Sequence, residues 1–151
     1  MKKIFPLLFT LLLFTQSTFS QDNALYNKAL ADSLGADEFG MKMYIFVILK
    51  TGKNTSKNKK MVDSLFVEHM ANIGRLAEEG KLIVAGPIWK NKKHYHGIFI
   101  LNIKKEEAES ILNSDPAIKA KLLEPEIYEW YGSAALPVYL PFHKKVQKTK
   151  L

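Results

Sequence analysis

Residues 61–87, MVDSLFVEHMANIGRLAEEGKLIVAGP, decide how the rest of the chain is read. Val62, Leu65, Phe66, Ile73 and Leu76 recur at the 3.6-residue spacing of a helix that packs one face on a core, and His69 falls on the same stripe. A histidine there is either a core residue or part of a pocket wall. Gly80 stands where a helix takes a left-handed C-cap, and residues 81–86 form a short apolar strand closed by Gly86 and Pro87.

Upstream, residues 41–50, MKMYIFVILK, are rich in β-branched and aromatic side chains and read as a largely buried strand. Thr51 and Gly52 end it, and a polar, lysine-rich loop leads to the helix. Downstream, residues 94–103, HYHGIFILNI, form a second apolar strand that pairs with residues 82–85 as an antiparallel hairpin, with Ile88 and Trp89 at its mouth. Residues 105–113 make a short helix with Ala108, Ile111 and Leu112 inward and acids in its first turn, where the helix dipole favours them. Asp115 and Pro116 are the N-cap and first position of a further helical turn. Residues 124–131, EPEIYEWY, alternate as a strand.

Strand, helix, strand, strand, helix, strand over residues 41–131 is the ferredoxin-like βαββαβ plan, an α+β domain with both helices on one face of a four-stranded antiparallel sheet. YIFVIL and GIFILNI are too continuously apolar for strands with one wet face. Something must cover the open side, and a homodimer packed sheet on sheet, a dimeric α+β barrel, meets that demand.

The flanks read differently. Lys2 and Lys3, an apolar run over residues 4–14, and Thr18 and Ser20 as small residues give residues 1–20 the three-part pattern of a secretory signal peptide. The apolar run is shorter than the roughly 20 residues that span a bilayer, so no stable membrane span is expected. With no cysteine in the chain, neither a lipid-anchored lipoprotein nor a disulfide is expected. The exported protein then begins near Gln21, in a periplasm or outside the cell. Residues 21–40 form an extension with a short helix before Gly35, and residues 132–151 an extended basic arm, since Pro137 and Pro141 oppose regular structure. The formal charge of +7 falls to +5 without Lys2 and Lys3. Lys53, Lys57, Lys59 and Lys60 crowd one loop, and Lys144, Lys145, Lys148 and Lys150 the C-terminus. Such runs read first as solvated loops or tails; no nucleic acid is expected as a partner, and anionic-surface binding is the lesser reading.

The helix with a central histidine, LFVEHMANIGRLAEEGKLIVAGP, followed by GIFILNI and EEAESILNSDPAIKAKLLEPEIYEWY, resembles the YCII-related proteins in a secreted bacterial branch. The resemblance covers nearly all of residues 41–131 and lies in the order of the histidine, the GKL and AGP segments, the EEA helix and the SDPAI motif. It implies a dimeric ferredoxin-like α+β barrel. It also implies a His-Asp pair in a pocket between helix and sheet, at the positions of His69 and Asp115, and for some members eliminations on ring compounds.

The residues support that pair on their own terms. A carboxylate bonded to one imidazole nitrogen fixes the tautomer, so the other nitrogen can take a proton from a substrate. A cofactor-independent lyase or isomerase acting on a small cyclic or aromatic acid, with no metal, is one reading. A non-catalytic dimeric module that binds the same small ligand is the other, with His69 a satisfied core residue and Asp115 only a helix cap. His94 and His96, two apart on a strand, project to one face; with Trp89 they are candidates for substrate contact at the pocket rim, although an HxH pair without a third ligand reads first as exposed polar residues. Arg75, the chain's one arginine, reads as a surface charge, and no Gly-rich phosphate loop, nucleophile elbow or dinucleotide fingerprint is present.

Overall fold

The computed structural model describes residues 23–149; the export signal read in residues 1–20 lies outside them. The fold is α+β with the βαββαβ order. β1 (Met41–Thr51) is preceded by a short helix, α1 (Lys28–Leu34), and followed by α2 (Lys59–Glu78), β2 (Leu82–Pro87), β3 (Tyr95–Leu101), α3 (Lys105–Ser114), the single turn α4 (Pro116–Lys119) and β4 (Leu123–Ser133). The four strands form one antiparallel sheet in the order β2-β3-β1-β4. β1 and β2 thus flank β3 without touching, the split βαβ arrangement.

Local chemistry sets the boundaries. Asn58 caps α2, its side chain accepting from the Met61 N–H at 3.2 Å, so the helix starts two residues before the expected Met61. Gly80, with φ +69°, ends it as anticipated. The Lys81 N–H reaches the Leu76 carbonyl and the Gly80 N–H the Ala77 carbonyl, the paired bonds of a left-handed helix stop.

The core fills one face of the sheet. Ile45, Val47 and Leu49 of β1 and Phe99 and Leu101 of β3 pack against Ile73 and Leu76 of α2, Ala108 and Leu112 of α3, and Ala117 and Ile118 of α4. Each large aliphatic side chain sealed there contributes about 1.5–3 kcal/mol relative to exposure. The alternate residues face the other way. Phe46, Ile48, Ile98 and Ile100 are only half-buried, and Tyr128 and Trp130 are 48% and 37% exposed. Cross-strand aromatic pairs, Tyr44 with Trp130 at 5.9 Å and Phe46 with Tyr128 at 6.3 Å between ring centroids, line this open face.

The C-terminal segment corrects the expectation of an extended arm. Gly132 and Ser133 continue β4, and the chain then forms a 3₁₀ turn, Leu136–Tyr139, and the helix α5, Leu140–Val146. Pro137 and Pro141 stand in the first turns of these two elements, where a missing N–H costs nothing and the fixed φ is helical, so they start helices here rather than prevent them. The arm leaves β4 at one edge of the sheet, and the Tyr139 hydroxyl donates to the Ile83 carbonyl of β2 at the other. It crosses the open face at one end, where Tyr44 donates to the Ser133 carbonyl at 2.9 Å and is 1% exposed. No helix among the described residues is long and apolar enough to cross a membrane.

Candidate functional site

Asp115 sits at the joint of α3 and α4, ending one helix and capping the next. Its Oδ1 accepts from the backbone N–H groups of Ala117 at 3.1 Å and Ile118 at 3.3 Å. The same carboxylate faces α2, where His69 Nδ1 lies 3.0 Å from Oδ1 and 2.9 Å from Oδ2, and Asn72 Nδ2 donates to Oδ2 at 2.8 Å. His69 and Asp115 are 5% and 3% exposed, the buried polar pair of an otherwise apolar layer. The helical stripe brings His69 inward, and the Asp-Pro joint turns the carboxylate toward it.

Burial pushes the Asp115 carboxyl up, but the bonds from His69 and Asn72, the charge attraction of His69 and the Ile118 N–H outweigh it and hold the group below the ordinary aspartate range. An ionised carboxylate only accepts, so Nδ1 of His69 carries the hydrogen, and whenever the ring is neutral its lone pair is on Nε2. Among the described residues Nε2 takes no hydrogen-bond partner, and no side-chain nitrogen there is sealed from solvent without one. The ring is clamped between Phe99, stacked at 6.1 Å and 29°, and Phe66, edge-on at 6.1 Å.

Asn72 is the polar partner that sequence reading missed. Its carbonyl oxygen accepts from Arg75 Nη2 at 2.6 Å, which fixes the amide with its NH₂ toward Asp115. Arg75 also donates through Nη1 to Glu79 at 2.6 Å. Glu79, Arg75, Asn72, Asp115 and His69 therefore form one chain of hydrogen bonds from surface to core. Arg75 is a half-exposed surface charge, as its position suggests, and it also orients Asn72. The i+3 spacing of Asn72 from His69 was visible in the sequence, and Asp115 was already a candidate partner of His69; that the same carboxylate also takes the Asn72 amide was not visible.

The other three residues singled out from sequence lie elsewhere in the chain. His94 is in the loop before β3 with φ +57°, so it does not share a strand face with His96. His96 is on the open side of the sheet, opposite Phe99 and His69, with Nε2 2.7 Å from Thr51 Oγ1. Trp89 stands 91% exposed at the hairpin tip. No cluster of three or more potential metal ligands occurs among the described residues.

Two surface depressions flank the layer. One, about 420 Å³, is lined by Glu68, Ala71, Asn72, Arg75, Ser114 and Pro116 on the outer side of the Asn72 bond. The other, about 430 Å³, lies near Asn102 and Glu106 at the start of α3. Neither is lined by His69.

No family model matches the chain, and no curated protein matches it in sequence. The resemblance to YCII-related proteins thus rests on the motifs themselves. Among solved structures, the chain is similar to 5-chloro-2-hydroxyhydroquinone dehydrochlorinase from Burkholderia phenoliruptrix AC1100 in complex with 2,5-dihydroxybenzoquinone. The match has a TM-score of 0.44 and 21% identity, over 57% of this chain and 92% of that one. At that level none of the neighbour's chemistry transfers to this chain.

Proposed function

We propose that the chain is a cofactor-independent lyase or isomerase acting on a small cyclic or aromatic acid, with His69 as general base. The observation that carries this reading is the bonding of His69 Nδ1 to an Asp115 carboxylate also held by Asn72 and the α4 N–H groups, with no partner for Nε2 among the described residues. Nε2 takes a proton from a substrate carbon. The electron pair left behind forms a new double bond as a leaving group departs, or is protonated at a different carbon in an isomerisation. Asp115 stabilises the imidazolium while the proton is held, and Asn72 keeps the carboxylate in place.

The test is His69→Ala and His69→Gln against enol, lactone and chlorinated-ring substrates. Turnover is expected to fall by about 10²–10⁴ with ligand affinity changed only a few-fold. A wild-type protein that binds such ligands without His69-dependent turnover replaces the enzyme with the non-catalytic binding module. The 5% exposure of His69 is the observation that favours this second reading.

A homodimer and export complete the proposal. The half-buried Phe46, Ile48, Ile98 and Ile100 on the open face support pairing with a second copy, and light scattering of the purified chain tests it. The signal read in residues 1–20 supports export, which cell fractionation tests.

A further inference from the structure

Three loops meet at the end of the sheet where β1 stops. The Thr51 N–H donates to the His94 carbonyl at 3.1 Å, joining β1 to the β2–β3 loop. The Gly52 N–H donates to the Leu122 carbonyl at 2.9 Å, while Asn54 donates from its backbone to Lys121 and from its side chain to Ala120, joining the β1–α2 loop to the α4–β4 turn. A Cβ on Gly52 would stand 2.1 Å from the Lys121 carbonyl oxygen, so these two loops are in backbone contact. Main-chain bonds join the three loops into one platform.

Each loop brings exposed lysines to that pole. Lys53 and Lys57 lie in the first, with Lys59 and Lys60 opening α2 beside it. Lys90, Lys92 and Lys93 follow Trp89 in the hairpin loop, Lys93 with its Nζ 5.8 Å from the Tyr95 ring centroid, and Lys119 and Lys121 belong to the third turn. No acid lies in residues 52–60, 88–94 or 119–122. The acids on the adjoining elements are Asp63, paired with Lys59, Glu126, 2.7 Å from Lys50, and Glu124. In sequence these lysines are separate runs; folding makes one positive face with an exposed indole at its tip.

We propose that this pole binds the surface of a lipid bilayer carrying anionic headgroups. An indole is favoured at headgroup depth, and lysines around it are drawn by the negative surface potential. Trp89 is the exposed aromatic of this pole, and a single one gives no series of stacking platforms for the bases of a nucleic-acid strand. With no membrane-crossing helix among the described residues, the association of the folded domain is peripheral.

The experiment is co-sedimentation of the full chain with vesicles of phosphatidylcholine alone or with 30 mol% phosphatidylglycerol, in about 50 mM and about 300 mM salt. The apolar run at residues 4–14 is common to every variant, so the ratio of binding to the two vesicle types is the readout. Wild type is expected to prefer the anionic vesicles by at least about tenfold at low salt and to lose most of that preference at high salt. Lys90→Gln/Lys92→Gln/Lys93→Gln is expected to lower the ratio about tenfold or more, while Lys144→Gln/Lys145→Gln in the arm leaves it within about twofold. With Trp130→Phe leaving Trp89 as the one tryptophan, its emission should shift to the blue on anionic vesicles. An unchanged ratio in the hairpin variant overturns the proposal. So does binding to a duplex or single-stranded oligonucleotide that anionic vesicles fail to displace.

Discussion

The two faces of one sheet are finished in opposite ways. On the helix side Val47 is 0% exposed, and the two polar groups that intrude, His69 and Asp115, satisfy each other and the α4 N-terminus. On the open side its neighbour Ile48 is half-buried, the aromatic pairs are left partly exposed, and the arm covers only one end. A closed face admits a carboxylate because every acceptor site is filled, whereas the open face carries apolar surface that solvent or a second copy must meet.

The largest way to break the closed face is Asp115→Ala. It removes the α4 cap and leaves the His69 Nδ1–H, the Asn72 amide and two backbone N–H groups without their acceptor. A loss of about 3–5 kcal/mol in denaturant unfolding is expected. A change below about 1 kcal/mol contradicts the view that this carboxylate organises the layer.

The next sharpens the contrast between faces. Val47→Ala should cost about 2–3 kcal/mol at any protein concentration, since its cavity is inside the chain. Ile48→Ala should cost about 1 kcal/mol in dilute protein, where the position is already half-wet, and more as concentration rises if a second copy covers it. Equal, concentration-independent costs remove the case for pairing through this face.

Most of the architecture was legible because the signals were local. The stripe from Val62 to Leu76, Gly80 at the helix stop and the Asp-Pro cap each declare an element within a few residues. The arm misled because proline forbids a helix interior but suits a first turn, and which one applies depends on where the helix starts. His69 was legible as an inward position on the stripe and Asp115 as a helix cap, their pairing being what the resemblance implied. Asn72 was not, because its role comes from a carboxylate that tertiary folding delivers. The HxH reading failed at His94 for a similar reason: a left-handed residue before β3 breaks the two-residue alternation on which it rested.

Acid separates the faces by charge. The Asp115 carboxyl titrates lower in the folded chain than in the unfolded one, so between the two values the unfolded state binds more protons and stability rises with pH. The contribution is complete above about 3.9, the unfolded value, and is lost as pH falls through the lower folded value. Unfolding measured from pH 7 down to pH 2 should show wild type losing its advantage over Asp115→Asn only below about pH 4. An advantage already gone at pH 5 refutes the assignment of a lowered carboxyl.

The smallest effects lie along the chain of bonds that leads outward from the dyad. Asn72→Ala removes one donor from the buried carboxylate and should cost about 1–2 kcal/mol, whereas Arg75→Ala removes a half-exposed partner and should cost no more than about 0.5 kcal/mol. If Arg75 acts only by orienting the Asn72 amide, its effect disappears in the Asn72→Ala background, leaving a coupling about equal to the single cost. Ring nitrogen shifts of His69 provide a second readout: the fraction of the Nδ1–H tautomer should fall in Asn72→Ala and move less in Arg75→Ala. Additive costs with an unmoved tautomer would mean that the histidine is held by Asp115 alone and that the outer residues merely decorate the surface of α2.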